Sequence, residues 1–234
     1  MLVDDHLVDT TWNLFRKVHP PEKYSANPLV AASETGHPDW GSILYDEDLK
    51  RFRYWTRVTH SDRSKWDMRI VHAYYESEDG IHWTAPKLGL VEFEGSKENN
   101  FLRGGKGMIY GTPSVLRTPQ RHAWRGKYVM LYGFVTGQPE PGQIHNMQDR
   151  IAWSDDGIHW EDQPENPVFR GRNDCFNTLM YNPERDVFMQ YRRASVNAHE
   201  IRRIAYTETR GLISWTQPVV VVSPDELDPP CCTE

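Results

Sequence analysis

Two aspartates stand where a pair of carboxylates could work on one small molecule. Asp39 lies in His37-Pro38-Asp39-Trp40-Gly41-Ser42 and Asp174 in Arg172-Asn173-Asp174-Cys175-Phe176-Asn177, each just ahead of a short β-prone run. Hydrolysis of a glycosidic bond calls for two such groups: one protonates the leaving oxygen, the other activates water or attacks carbon. Trp40, Tyr110 and Phe176 could stack on sugar faces, Asn177 could bond a hydroxyl, and Arg103 and Arg172 could hold an acid ionised or grip a charged substrate. The competing reading of each acid is a loop carboxylate that caps a turn. Matched placement ahead of two strands raises the catalytic reading to an even footing with it.

Other polar residues carry less. His37, His145 and Asn146 fall in predicted loops and could face the same pocket, while Asn99-Asn100 either lines it or turns the chain. Cys175, with no histidine signature nearby, reads as a small packed residue. Asp46-Glu47-Asp48 and Asp155-Asp156 read as solvated hairpin tips, since no calcium-loop spacing surrounds them. No metal site and no cofactor are predicted, and a structural Ca2+ has no support in the spacing.

The elements that would position the two acids are written around a repeated string. Ser77-Glu78-Asp79-Gly80-Ile81-His82-Trp83 returns as Ser154-Asp155-Asp156-Gly157-Ile158-His159-Trp160, and an internal repeat governs the architecture. Asp-Gly marks a tight turn, and the tryptophan after it is a large apolar anchor whose N–H needs a partner. Each copy therefore reads as a hairpin corner pinned by an indole. Thr209-Arg210-Gly211-Leu212-Ile213-Ser214-Trp215 is a degenerate third copy, without the aspartate and with one more residue between Gly and Trp.

Short strands recur in the same order around these corners. The first unit has Gly41–Tyr45, Arg51–Val58, Arg69–Tyr75 and Leu88–Phe93. The second has Gly111–Leu116, Lys127–Phe134, Arg150–Trp153 and Pro167–Phe169; the third has Asn177–Tyr181, Val187–Tyr191, Ile204–Tyr206 and Val219–Val222. Asn27-Pro28-Leu29-Val30 resembles Asn166-Pro167-Val168-Phe169 and reads as an outer strand of a unit completed elsewhere. No helical periodicity is evident after residue 20. This is the pattern of an all-β propeller with four-stranded blades: blade 1 over 38–98, blade 2 over 108–170, blade 3 over 174–223, and 1–30 as an N-terminal segment with a ring-closing strand. A β-sandwich is the competing architecture. Three blades are too few to close a ring, which typically takes about four to eight, so the sequence is expected to be the N-terminal portion of a longer frame.

Composition bounds the partners. Hydrophobic residues make up 38% and aromatics 12%, with mean hydropathy −0.71, which suits ring-lined strands better than packed helices. A net charge of −6 without a basic block argues against nucleic acid as partner. No run approaches the ~20 apolar residues a membrane helix needs. No signal peptide is visible, and Cys175, Cys231 and Cys232 give no disulfide framework, which favours a cytoplasmic setting.

Asn27-Pro28, the strand Gly41-Ser42-Ile43-Leu44-Tyr45-Asp46, the Ser-x-Asp-Gly-Ile-His-Trp corners and the stretch from Leu88 to Asn100 together resemble uncharacterised bacterial glycosyl hydrolase-like proteins. Those are similar to the five-bladed propeller superfamily of invertases, levansucrases, arabinanases and β-xylosidases. The resemblance implies an aspartate on the first blade as base or nucleophile, matched by Asp39. It implies a stabilising aspartate on a middle blade, matched by Asp174, and a general-acid glutamate on a later blade, expected beyond Glu234. Pro38-Asp39-Trp40 and Asn173-Asp174-Cys175 depart from the invertase motifs, so the likeness specifies fold better than substrate. It implies a carbohydrate partner, with a glycosidase as the first reading, a non-catalytic carbohydrate-binding propeller as a second and a glycoside phosphorylase as a third.

Overall fold

The computed structural model describes residues 9–15, 17, 19–31, 36–60, 70–104, 108–109, 111–135, 147–170, 177–194 and 203–223. They form three antiparallel β-sheets. Sheet 1 holds β1 (His37–Asp46), β2 (Arg51–Thr59), β3 (Ile70–Ser77), β4 (Trp83–Thr84) and β5 (Phe101–Arg103). Sheet 2 holds β6 (Met108–Ile109), β7 (Ser114–Arg117), β8 (Tyr128–Val135), β9 (Met147–Ser154), β10 (Glu161–Asp162) and β11 (Phe169–Arg170). Sheet 3 holds β12 (Thr178–Asn182), β13 (Val187–Arg193), β14 (Ile204–Thr209) and β15 (Val219–Val222). A 3-10 turn, Gln120–Arg125, joins β7 to β8.

The larger strand counts come from broken strands. β4 and β5 both pair with β3, β6 and β7 both pair with β8, and β10 and β11 both pair with β9. Each sheet therefore has four lanes. In sheet 1 the fourth lane is not 88–93, as the alternation suggested, but β4 and β5. Gly89, Glu94 and Gly95 all adopt positive φ, which bends the chain away from an extended run. Leu88, Val91 and Phe93 instead become apolar plugs on the sheet, and Phe93 closes a small turn with Ser96. Asn99 and Asn100 belong to this turn: Asn99 bonds the Val91 carbonyl and the Phe101 amide, and Asn100 bonds the Tyr74 carbonyl. Residues 27–30 make no strand, and both Asn27-Pro28 and Asn166-Pro167 are cis.

The sheets stack in series because the central strands of sheet 2, β8 and β9, are apolar on both faces. Trp55 and Tyr74 of sheet 1 pack with Tyr128, Met130 and Tyr132 of sheet 2. The opposite face of sheet 2, Val129, Leu131, Ile151 and Trp153, packs with Leu179, Phe188 and Leu212 of sheet 3. Burying one such side chain stabilises by about 1.5–3 kcal/mol. The first strands are also tied directly. Ser42 Oγ accepts the Val115 amide at 2.9 Å and donates to the Pro113 carbonyl, and Ser114 Oγ accepts the Leu179 amide at 2.9 Å.

The two full corners are built alike. In the first, Asp79 Oδ1 accepts the amides of Ile81 and His82, Ser77 Oγ accepts that of Gly80, and the Trp83 indole donates to the Gly80 carbonyl at 3.1 Å. In the second, Asp156, Ser154, Gly157 and Trp160 repeat these bonds. The surroundings differ. The second corner is gripped by sheet 1: Trp55 Nε1 donates to the Gly157 carbonyl at 2.7 Å, and Arg53 Nη2 to the Asp156 carbonyl. A Cβ on Gly157 would lie 2.8 Å from Arg53 and 2.9 Å from Trp55, whereas one on Gly80 would meet Phe52 at an ordinary 3.4 Å. Both glycines have positive φ, which costs an alanine about 1–2 kcal/mol. Gly157→Ala is therefore expected to destabilise by about 1–3 kcal/mol more than Gly80→Ala in urea unfolding, from overpacking; equal losses would contradict the grip.

Candidate functional site

Asp39 and Trp40 owe their position to a bulge. The β1–β2 register shifts between Pro38 and Gly41, so the two residues leave the ladder. Tyr54 and Thr56 hydroxyls tie down the Asp39 carbonyl, and Gly41 is packed so tightly that a Cβ there would lie 2.1 Å from the Trp55 carbonyl. The Asp39 carboxylate accepts its neighbour's amide, Trp40 N–H, at 2.9 Å and forms an ion pair with Arg57. The Arg57 guanidinium lies 5.6 Å from the centre of the Trp40 ring, and that indole is 55% exposed. The result is a carboxylate beside an open aromatic face.

From Arg57 a row of polar side chains crosses sheet 1 toward sheet 2. Arg57 pairs with His72 across β2–β3, and His72 with Arg103 across β3–β5. His72 is fully buried, edge-on to Tyr132, with Nε2 3.4 Å from the Gly111 carbonyl. Burial, helped by the Arg103 charge, pulls its pKa from 6.5 to about 3 against the opposing pull of that carbonyl. His72 is therefore a neutral donor through Nε2. Arg103 stacks 4.7 Å over Tyr132 and pairs with Asp162 at 2.9 Å; Tyr132 donates to the same carboxylate at 2.6 Å. Burial pushes the Tyr132 hydroxyl well above its ordinary range.

A second cluster lies between sheets 2 and 3. Asp149, fully buried, accepts Asn177 Nδ2 at 2.9 Å and Gln190 Nε2 at 3.0 Å, with Arg192 at 3.5 Å. Asn177 is thus held at the start of β12 by a buried carboxylate.

Of the residues expected at the site, Asp39, Trp40 and Arg103 lie on or beside the row, and Asn177 lies in the second cluster. His37 is exposed at the head of β1. Tyr110, Arg172, Asp174, Phe176, Cys175, His145 and Asn146 lie outside the described residues. Arg57, His72, Asp149 and Asp162 were not singled out by the sequence. Only His72 carried a signal, as a lone imidazole in the apolar run Ile70-Val71-His72-Ala73. Among the described residues no group of three or more His, Cys, Asp or Glu side chains is gathered as a metal site would require.

The sequence matches no protein-family model and no curated protein. Solved structures are similar in fold. An N-acetylgalactosamine deacetylase from F. plautii, solved with blood group B trisaccharide, superposes with TM-score 0.59 at 14% identity over 86% of this chain and 58% of that one. A Bombyx mori β-fructofuranosidase gives 0.60 at 15% over 86% and 39%. An exo-inulinase from Aspergillus awamori gives 0.56 at 17% over 85% and 38%. The chain thus spans less than two thirds of the length of each. The all-β arrangement of antiparallel four-stranded sheets is thus similar to the fold of these structures.

A histidine that stays neutral when folded but binds a proton when unfolded makes stability fall with pH. For His72 the loss begins near 6.5 and continues toward 3, at up to about 1.4 kcal/mol per pH unit. In urea unfolding at pH 7, 5.5 and 4.5, His72→Gln, which keeps a donor for Gly111, is expected to be less acid-sensitive than the wild type. Identical slopes would contradict the buried, neutral imidazole.

Proposed function

We propose that this chain contributes three successive four-stranded blades, of about five, to a β-propeller of the glycoside hydrolase type, and that the protein cleaves O-glycosidic bonds of a plant or microbial glycan. The Ser42–Val115 and Ser114–Leu179 bonds support the radial reading, since they set β1, β7 and β12 side by side as inner strands around an axis would be. The similarity to larger glycoside hydrolase structures supports the ring.

The observation that carries the functional reading is Asp39. It is lifted off its strand by a bulge, paired with Arg57, and flanked by the exposed indole of Trp40. An indole face takes the apolar face of a sugar ring, and the carboxylate beside it then lies near the anomeric carbon or the water that attacks it. In this reading Asp39 activates water or attacks, and Arg57 orients it. Asp174 positions the sugar and tunes its partner. Arg103 stands further along the same row, where it would meet polar groups of a bound glycan.

Hydrolysis of an arabinoside, xyloside and fructoside panel by the full-length protein tests this. Asp39→Asn and Asp174→Asn are each expected to lower kcat by about 10²–10⁴ on whichever glycoside is cleaved. Trp40→Ala is expected to act mainly on KM. Rates unchanged in both aspartate variants would remove the site assignment.

A further inference from the structure

Two buried polar side chains occupy the same place in sheets 1 and 2. His72 on β3 and Asp149 on β9 each stand five residues before the serine that opens a corner, Ser77 and Ser154. Their cross-strand pairs also match. Arg57–His72 follows Trp55–Tyr74 in sheet 1, and Gly133–Asp149 follows Leu131–Ile151 in sheet 2. Both side chains are fully buried. Each reaches out of its own sheet to the segment that opens the next one. His72 Nε2 lies 3.4 Å from the Gly111 carbonyl, just ahead of β7, and Asp149 accepts Asn177 Nδ2 at 2.9 Å, just ahead of β12. In sheet 3, the last of the described sheets in chain order, the same place holds the exposed Ile204.

Packing alone does not explain an imidazole and a carboxylate in this slot. A buried polar group is tolerated only when bonded, and an apolar residue would fill the space at similar or lower cost. What the polar groups add is direction. Gly111 turns the chain at φ 93°, and the imidazole fixes its carbonyl at that turn. The carboxylate that holds Asn177 is itself held by Gln190 and Arg192 of sheet 3. Functional loops need a rigid scaffold to place them. The rings expected to stack on a sugar, Tyr110 and Phe176, come directly before Gly111 and Asn177 in sequence.

We infer that His72 and Asp149 are a matched pair of positioning residues, each fixing the lead-in to the next inner strand, His72 at Gly111 and Asp149 at Asn177, and so setting the walls of the glycan pocket. The anchoring half stands on the contacts alone; the glycan half rests on the function proposed above.

Hydrogen exchange and steady-state kinetics on the full-length protein test the two halves. His72→Leu removes the bond to Gly111. Asp149→Leu, made together with Arg192→Leu so that no guanidinium is left buried alone, removes the bond to Asn177. His72→Gln and Asp149→Asn keep a donor and an acceptor in place. Exchange is expected to speed up at residues 111–115 in the first leucine variant and at 177–180 in the second, each without the other. On whichever glycoside the wild type cleaves, both leucine variants are expected to raise KM about fivefold, the worth of one hydrogen bond, with kcat little changed. The Gln and Asn variants are expected to restore KM even where their urea midpoints fall. Should the double variant not fold, the His72 pair decides the same questions at β7. Unchanged exchange, or equal acceleration at both lead-ins, would overturn the anchoring. Wild-type KM in the leucine variants, or a KM that tracks stability in all four, would overturn the positioning role. Absence of turnover on the whole glycoside panel would remove the glycan half and leave the exchange result to decide the anchoring. Unchanged rates in Asp39→Asn would remove that assignment alone.

Discussion

One buried guanidinium holds the first two sheets in register. The Arg53 side chain is 2% exposed and satisfies three partners at once: the Tyr74 hydroxyl at 2.8 Å, the Asp46 carboxylate at 3.2 Å and the Asp156 carbonyl. Its plane lies within 4.9 to 5.1 Å of the Trp55, Tyr74 and Tyr128 ring centres. A buried charge is tolerated only when paired and fully bonded, and here the partners come from both sheets. Burial raises the Asp46 pKa, but the Tyr128 hydroxyl, the Asp48 and Leu49 amides and Lys127 outweigh it and bring it to about 2. The carboxylate therefore stays charged opposite Arg53 through the neutral range. Its contribution is present above the ordinary value of 3.8 and is lost as pH falls toward 2.

The rest follows from that lock. With sheets 1 and 2 fixed, Ser42 can reach the Val115 amide, and β1 and β7 run side by side. The end of β1 that carries Asp39 and Trp40 then lies on the same sheet as the row of Arg57, His72 and Arg103, which reaches Asp162 on sheet 2. Sheet 3 is docked differently. Where sheet 1 offers Arg53 and Trp55 to the second corner, sheet 2 offers Val129 and Leu131 to an apolar seam closed by Leu212, with Gln163 donating to the Leu212 carbonyl at 2.9 Å. The second seam holds its corner through Gln163 and the buried Leu212 rather than through a guanidinium and an indole.

Much of the fold was legible because strand alternation and the Asp-Gly corners are local signals. The corners' internal bonds involve residues at most three apart in sequence, and the strands of sheet 3 lie within a few residues of where alternation put them. The fourth lane of sheet 1 was misplaced because Leu88, Val91 and Phe93 imitate a strand while positive-φ residues prevent one. Nothing local in the strand Arg51–Val58 marks Arg53 as buried; its burial depends on Asp156, far along the chain. At the site, Asp39 was visible from its place before a strand, but Arg57 and Asp162 become partners only through sheet pairing and packing.

The most direct measurement is hydrogen exchange on the Arg53→Leu variant, read peptide by peptide beside its urea unfolding. The clasp predicts a loss of about 3–5 kcal/mol, as expected when one partner of a buried pair is removed. It also predicts faster exchange at the second corner, residues 154–160, while the first corner keeps its protection. Wild-type stability with unchanged protection at the second corner would contradict the claim that this guanidinium sets the register of the sheets.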